Sequence, residues 1–106
     1  MYYIYILRCS DNSLYTGITL DFKKRFEQHK AASPDAAKYT KSHKVQSVEA
    51  LWCCESKGDA LRLEARIKKL PKPKKEHLIL NPFEVNLFGL ECEYKYVLKR
   101  EKGNGN

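Results

Sequence analysis

Two short apolar segments separated by a polar turn open the chain. Residues Tyr2–Cys9 are rich in aromatic and β-branched side chains, Ser10–Ser13 have the composition of a turn, and Leu14–Thr19 again resembles a strand. This order predicts a β-hairpin. After it, Phe22 and Phe26 stand four residues apart among basic side chains, which is the spacing of one helical face.

The first predicted helix has a boundary signal at each end. Thr19 or Asp21 can cap its first turn, because either side chain can accept a hydrogen bond from a free backbone N–H. The helix should run to about Ala32, since the sequence Ser33-Pro34-Asp35 interrupts the pattern. The polar stretch from there to Lys44 is predicted to be a loop.

A third strand and two further helices follow. Val45–Glu55 has the β-branched, aromatic and thiol content of a strand in the same sheet. Ser56 begins a Ser-x-x-Asp box, and apolar residues recur at helical spacing until Pro71 ends the pattern. Lys72–Leu80 is predicted to form a short third helix. The apolar residues of the second helix are Ala60, Leu63, Ile67 and Leu70.

These elements predict an α/β fold with a small three-stranded sheet, antiparallel or mixed, made from the N-terminal hairpin plus one strand and flanked by helices. We predict a domain at residues 1–82 and a C-terminal extension at residues 83–106. Within the extension, Glu91–Leu98 fits either a strand or a helix, and Gly103–Asn106 is predicted to be a frayed tail.

The size and composition of the chain allow one hydrophobic core. It has 106 residues, 42% of them hydrophobic, which excludes a disordered polyelectrolyte and makes two independent cores improbable. The apolar run Met1–Leu7 is too short to span a bilayer. It also lacks the basic flank and small-residue cleavage site of a secretion signal. We therefore expect a cytoplasmic protein.

The four cysteines do not have the spacing of a zinc site. Cys53 and Cys54 are adjacent, and Cys9 and Cys92 lie far from them, whereas zinc ligands usually come in close pairs on a turn. Nothing else in the sequence indicates secretion, where disulfides are common. We therefore predict buried, reduced thiols that act as small hydrophobic side chains.

Two helices carry polar side chains at the borders of their apolar faces. On a helical wheel with Ala60 at zero, Glu64 falls at about 40°, beside the apolar stripe. A carboxylate there is partly desolvated, which costs free energy unless a cation, a metal ion or hydrogen-bond donors compensate it. On the first helix, Arg25 and His29 lie within about 60° of Phe22, so both side chains are directed toward the sheet.

The hairpin can place two tyrosines on one face. Tyr5 and Tyr15 face the same way only if paired residue numbers sum to an even number, for example with Cys9 opposite Tyr15. That pairing needs a five-residue loop at Ser10–Leu14, or a shorter bulged one. Gly17 beside them leaves room for another group, or a ligand, to approach the backbone.

Together these residues resemble the GIY-YIG nuclease family, and specifically its small stand-alone bacterial subfamily of the excision-nuclease catalytic-domain type. The resemblance covers roughly residues 2 to 80. It depends on two triplets followed in order by an arginine, a histidine and a helical glutamate. Two positions depart from the family name, since Tyr3 stands in place of its first Gly and Thr16 in place of its second Ile. The residues concerned are Tyr3-Ile4-Tyr5, Tyr15-Thr16-Gly17, Arg25, His29 and Glu64, with similar stretches at Ala37-Lys38-Tyr39-Thr40, Leu63-Glu64 and Lys68-Lys69-Leu70.

The resemblance implies a metal-assisted endonuclease that hydrolyses DNA phosphodiester bonds. Glu64 would be the protein ligand of Mg²⁺ or Mn²⁺, hard cations that keep several waters and take one or two protein carboxylates. Tyr15 or Tyr5 would be the general base for the attacking water, and His29 would position that water or pass the proton on. Arg25 would stabilise negative charge on the phosphoryl oxygens.

The charge balance agrees with a nucleic-acid partner. Twenty Lys and Arg residues against 13 Asp and Glu residues leave a formal net charge of +7. Such a surface binds phosphates in a salt-sensitive way, and nothing here indicates base-edge readout, so we predict low sequence specificity. Tyr39 and Trp52 are candidates for stacking on bases, although Trp52 in a strand fits the core better. The lysines that we assign to DNA contact are Lys23, Lys24, Lys41 and Lys69.

Two other functional classes remain open at this point. One is a non-catalytic nucleic-acid-binding module with the same fold and positive surface. The other is a protein-interaction domain whose basic patch binds acidic partners. For either class, and for the nuclease, we expect no membrane association and a monomer or weak homodimer.

Overall fold

The computed structural model describes residues 1–34 and 36–95 of the chain. The described residues form strands, α-helices and one 3₁₀ helix, and most of the predicted elements are present at the predicted positions. In chain order they are β1 (Tyr2–Cys9), β2 (Leu14–Thr19), α1 (Phe22–Ala31), α2 (Lys38–Ser42), β3 (Val45–Cys54), α3 (Lys57–Lys69), α4 (Lys72–Leu80), the 3₁₀ helix (Pro82–Phe88) and β4 (Cys92–Lys95).

The described strands form a four-stranded antiparallel sheet in the order β2-β1-β3-β4. The prediction of an α/β fold with helices flanking an antiparallel sheet is confirmed, but the prediction of three strands is wrong. β4 is only four residues long and alternates between half-buried and exposed positions. Its propensity is too weak to identify it in the sequence, and pairing with β3 makes it a strand.

Helices cover both faces of the sheet. Side chains of β1 alternate, so Ile4 and Ile6 face α3, α4 and the 3₁₀ helix in one hydrophobic cluster. Tyr5 and Leu7 face the opposite way, into a second cluster with the phenylalanines of α1 and with Tyr39 of α2. Both clusters exclude water from the centre of the sheet, which holds the strands in register.

The paired residue numbers in the hairpin sum to an even number, as predicted, but the register differs from the example. Tyr5 pairs with Gly17 and Leu7 pairs with Tyr15, so the two tyrosines share a face as expected. The example pairing of Cys9 with Tyr15 is wrong, because the ladder continues to a pair between Arg8 and Leu14 and leaves residues 9–13 for the turn. Asn12 takes a left-handed conformation in this turn (φ 70°), which asparagine tolerates well.

The prediction that all the cysteines are reduced is wrong for two of them. Cys54 and Cys92 pair across β3 and β4 and form a disulfide. Cys9 and Cys53 are buried free thiols, as predicted. The spacing of Cys54 and Cys92 carries no signal, because their contact depends on β4, which the sequence pattern does not resolve from a helix.

The predicted loop before β3 contains the short helix α2. Its five residues are too few for an independent helix, since helix nucleation is costly. Thr40 of α2 is 1% exposed, and Tyr39 packs against the cluster around Tyr5. Tertiary contacts therefore stabilise a helix that local propensity does not predict.

The capping residues of α1 and α3 are among those that the sequence predicted. Asp21, rather than Thr19, caps α1 and accepts a hydrogen bond from the Lys24 backbone at 3.1 Å. Ser56 caps α3 through the Asp59 backbone at 3.2 Å. α3 ends at Lys69, just before the proline that was expected to stop it.

The described part of the C-terminal extension packs on the core. Val85 of the 3₁₀ helix is buried, and the buried Trp52 donates a hydrogen bond to the Pro82 carbonyl at 3.0 Å. The division at residue 82 stays a prediction, and the predicted tail at 103–106 lies outside the described residues. No helix within residues 1–34 and 36–95 has the length and apolar character needed to cross a membrane.

Candidate active site

The hairpin provides the two tyrosines of the candidate site. The rings of Tyr5 and Tyr15 lie 6.3 Å apart between centroids and are tilted by 42°. Tyr5 is 1% exposed, whereas Tyr15 is half-buried. A shared strand face therefore brings the two phenols together, with Tyr5 inside the protein and Tyr15 nearer the solvent.

Gly17 is required opposite Tyr5. The two residues are cross-strand partners, and a methyl group added at Gly17 would overlap the Tyr5 hydroxyl and the ring carbon that carries it. The sequence analysis left open which group occupies the space at Gly17. In the structure the Tyr5 phenol lies there.

We expect Gly17→Ala to destabilise the fold by about 1–3 kcal/mol, the usual cost of overpacking a buried position. The Tyr5 ring would have to move away from its hydrogen-bond partner. Urea denaturation monitored by Trp52 fluorescence measures the free energy of unfolding. Gly58→Ala is the matched control, because the added methyl would meet the end of the exposed, flexible Arg62 side chain. Equal stability of both variants would contradict the close packing at Gly17.

His29 joins α1 to the hairpin. It is the buried residue of α1, and its Nε2 lies 2.8 Å from the Tyr5 hydroxyl. Its ring also packs against Tyr15, with 5.3 Å between centroids. The predicted orientation of His29 toward the sheet is therefore observed.

Thr40 determines which nitrogen of His29 carries the proton. The Thr40 hydroxyl donates to the Ala37 carbonyl at 3.0 Å, so its oxygen accepts from His29 Nδ1 at 2.7 Å. In the neutral ring, Nε2 then has a free lone pair and accepts the Tyr5 proton. The sequence analysis assigned no role to Thr40, and only the packing of α2 against α1 shows the contact.

Burial keeps both members of the Tyr5–His29 pair neutral. Desolvation raises the pKa of Tyr5, the neighbouring Tyr15 raises it further, and a hydrogen bond from Arg25 lowers it in part. Desolvation, followed by the positive charge of Arg25, lowers the pKa of His29 to about 4. At neutral pH the pair is therefore an uncharged hydrogen bond.

The low pKa of His29 predicts acid destabilisation. The unfolded chain protonates His29 below about pH 6.5, whereas the folded protein does so only near pH 4. The free energy of unfolding should therefore fall by about 3 kcal/mol as the pH decreases through this window, and His29 should contribute no slope above it. Thr40, Tyr5, Tyr15 and Arg25 are the polar groups that face the ring, and the raised pKa of Tyr5 keeps its hydroxyl uncharged in this window.

Urea denaturation at pH values from 4.5 to 7.5 tests this expectation. The difference in unfolding free energy between the native protein and His29→Gln should shrink toward acid pH. Carboxylates titrate in both proteins and cancel in the difference. Parallel plots of unfolding free energy against pH for the two proteins would show that folding does not lower the pKa of His29.

Arg25 brings positive charge to the tyrosines. It is half-buried on α1, donates a hydrogen bond to Tyr5, and is oriented by a hydrogen bond to Gln28 Oε1 at 2.9 Å. The guanidinium therefore lies beside the phenols, in a position set by two contacts.

Glu64 lies on α3, which packs against the face of the sheet opposite to the two tyrosines. Its side chain is 17% exposed, between the buried apolar residues and the exposed basic residues of that helix. The predicted place beside the apolar stripe is observed. The Glu64 carboxylate pairs with Lys68 at 3.2 Å, and its charge contributes to raising the pKa of Tyr5. Glu64 is therefore within electrostatic reach of the tyrosines.

Three of the other four predicted site residues contact Tyr5, and Glu64 lies across the sheet from it. His29 and Arg25 bond to it, Tyr15 packs against it, and Glu64 acts on it through its charge. Three helices carry the exposed lysines that are predicted to contact DNA. These lysines are Lys23 and Lys24 on α1, Lys41 on α2 and Lys69 on α3.

An open pocket of about 690 Å³ lies at the β3–β4 edge, away from the candidate site. It is lined by Cys53, Glu55 and Glu93, among others, and by none of the five site residues.

Comparison with known proteins identifies relatives along most of the chain. Residues 1–77 match the GIY-YIG catalytic domain. A UPF0213 protein of Fusobacterium nucleatum is 51% identical over 81 residues, covering 76% of this chain and 79% of the relative. A UPF0213 protein of Halobacterium salinarum is 38% identical over 78 residues, covering 74% and 99%. The solution NMR structure of a UPF0213 protein from Bacillus halodurans has 36% identity and a TM-score of 0.49, with 81% and 94% covered.

Proposed function

The chain belongs to the GIY-YIG family of nuclease domains, and on that premise we propose that it is a divalent-metal-dependent endonuclease that hydrolyses DNA phosphodiester bonds with low sequence specificity. The observation that carries this proposal is the contact of Tyr5 with a second tyrosine, a histidine and an arginine, together with a carboxylate whose charge raises the pKa of Tyr5. These side chains come from a hairpin and two separate helices. The UPF0213 names of the relatives state no activity.

Tyr15 is the better candidate for the general base. A general base must reach the water from which it takes a proton. Tyr5 is 1% exposed and its hydroxyl is already bonded to His29 and Arg25, whereas Tyr15 is half-buried. Tyr5 and His29 then act as positioning residues that hold the Tyr15 ring.

Arg25 is suited to bind the scissile phosphate. A guanidinium presents several N–H donors in a fixed fork, which matches the oxygens of a phosphate. The contacts to Tyr5 and Gln28 orient the group before substrate binds. Such preorganised donors stabilise the charge that develops on the phosphoryl oxygens in the transition state.

The donor set is compatible with a single hard cation. Within residues 1–34 and 36–95, no three His, Cys, Asp or Glu side chains cluster as a metal cage. Glu64 is a half-buried carboxylate, and Mg²⁺ or Mn²⁺ is commonly held by one or two carboxylates together with waters and substrate phosphates. Glu64 would hold the ion, which would supply Lewis-acid stabilisation of the phosphate when bound.

One contact favours the alternative of a non-catalytic nucleic-acid-binding module. Lys68 neutralises Glu64 at 3.2 Å, as in an ordinary ion pair on a helix. Because Lys68 is itself half-exposed, the pair costs little to break. In this alternative, Glu64 serves only in the ion pair with Lys68 on α3.

Incubation with supercoiled plasmid DNA separates these two functions. We expect nicking with Mg²⁺ or Mn²⁺, none with EDTA, and DNA binding that weakens steeply as salt concentration rises. Binding without nicking under all metal conditions would support the non-catalytic module. Binding that does not change with salt would argue against nucleic acid as the partner.

A further inference from the structure

A row of stacked rings leads from the candidate site along α2. Tyr15 stacks on Tyr39 with 5.7 Å between centroids and 25° between planes. Tyr39 in turn stacks on His43, one helical turn later, at 3.9 Å and 7°. We call these three residues the aromatic row. Tyr39 and His43 extend the row outward from Tyr15, the proposed general base, and neither takes part in the catalytic roles proposed above.

The outer ring of the row is held in place at the surface. His43 Nδ1 donates to the Tyr39 carbonyl at 3.0 Å, and Nε2 lies 3.7 Å from the Asp11 carboxylate. The His43 side chain is nevertheless 35% exposed. A ring whose orientation is already fixed loses little conformational entropy when a second flat group stacks on it.

Positive charge flanks the aromatic row. Lys38, Lys41 and Lys44 are exposed, and none of the three forms an ion pair with a residue of the described ranges. The Asp11 carboxylate beside His43 accepts hydrogen bonds from Ser13 and lies 3.7 Å from the His43 ring. The segment thus alternates cationic and flat aromatic side chains, which is the composition of a surface that binds single-stranded nucleic acid.

We propose that the aromatic row binds an unpaired nucleotide next to the cleaved phosphodiester, with its base stacked on His43 and its phosphates near the α2 lysines. The inference builds on the proposed function and specifies its substrate as DNA that contains a single-stranded segment. In a continuous duplex both faces of every base are covered by neighbouring base pairs. Only an unpaired base can offer a face to the imidazole.

Fluorescence anisotropy with fluorescein-labelled oligothymidylate and a labelled duplex of equal length tests the proposal, in EDTA so that no cleavage occurs. The protein should bind the single strand more tightly than the duplex. His43→Ala should weaken single-strand binding about tenfold, the loss expected for one stacked base, and change duplex binding less than twofold. His43→Phe should restore single-strand binding, because it retains a flat ring without the imidazole nitrogens.

His77→Ala is the matched control, since His77 is an exposed histidine of α4 outside the aromatic row. It should leave both affinities unchanged, and circular dichroism verifies that each variant is folded. Equal loss of both affinities in His43→Ala, no recovery in His43→Phe, or duplex binding as tight as single-strand binding would overturn the inference and leave the proposed function standing. Failure of both DNAs to bind at low salt would overturn the proposed function as well.

Discussion

Glu64→Gln is expected to reduce metal-dependent plasmid nicking by roughly 10³-fold, because it removes the carboxylate that would hold the cation while keeping the size of the side chain. The fold should change little. The lost ion pair with Lys68 is half-exposed, and such pairs are worth about 0.2–1 kcal/mol. Initial rates of plasmid nicking in Mg²⁺ and in Mn²⁺ measure the effect, and electron paramagnetic resonance of Mn²⁺ measures binding of the ion directly.

Lys68→Gln is the matched control for this substitution. It breaks the same ion pair but leaves the carboxylate in place, so nicking should stay within about threefold of the native rate. If Glu64→Gln nicks as fast as the native protein, the activity comes from a contaminant or from a different site. If both variants lose activity equally, the ion pair itself is needed and the role of Glu64 as metal ligand fails.

Tyr15→Phe is expected to reduce the nicking rate by about 10²–10⁴-fold, the usual contribution of a general base. The substitution removes only the hydroxyl, so the ring contacts to Tyr5, His29 and Tyr39 remain. Stability and DNA affinity should therefore be close to native.

Two further tyrosine variants make the assignment of the base specific. Tyr3→Phe removes a hydroxyl from the same strand face outside the candidate site and should leave the rate unchanged. Tyr5→Phe breaks the hydrogen bond to His29 and should cost less activity than Tyr15→Phe, because Tyr5 only positions the ring. Loss of activity in Tyr5→Phe with full activity in Tyr15→Phe would assign the base to Tyr5 instead.

The elements that the sequence predicted well are those with strong local signals. The hairpin, α1, α3 and β3 have strand or helix periodicity together with caps or turn residues, and they lie within one or two residues of their predicted bounds. Two short elements were not resolved: α2, predicted as a loop, and β4, left open between a strand and a helix, are five and four residues long. Local propensity is too weak over such lengths, so contacts with the rest of the fold decide their structure.

In the candidate site too, some features follow from the local sequence pattern and others depend on tertiary contacts. The helical wheel of α3 was sufficient to place Glu64 at the border of the apolar face, because that depends on the helical period alone. The shared face of Tyr5 and Tyr15 required the paired residue numbers in the hairpin to sum to an even number. The observed partner of Tyr15 is Leu7, two residues from the example pairing with Cys9. The tautomer of His29 could not be derived, because it depends on Thr40, which α2 brings to the ring.

The sequence by itself therefore determined which side chains are available and which face of its own strand or helix each one occupies. Those properties follow from periods of two and 3.6 residues and need no knowledge of distant parts of the chain. Only the tertiary structure decided what each side chain meets: the Tyr5–His29 hydrogen bond, the Cys54–Cys92 disulfide and the aromatic row. Such contacts join residues far apart in sequence, and they form only when sheet and helices pack into one core.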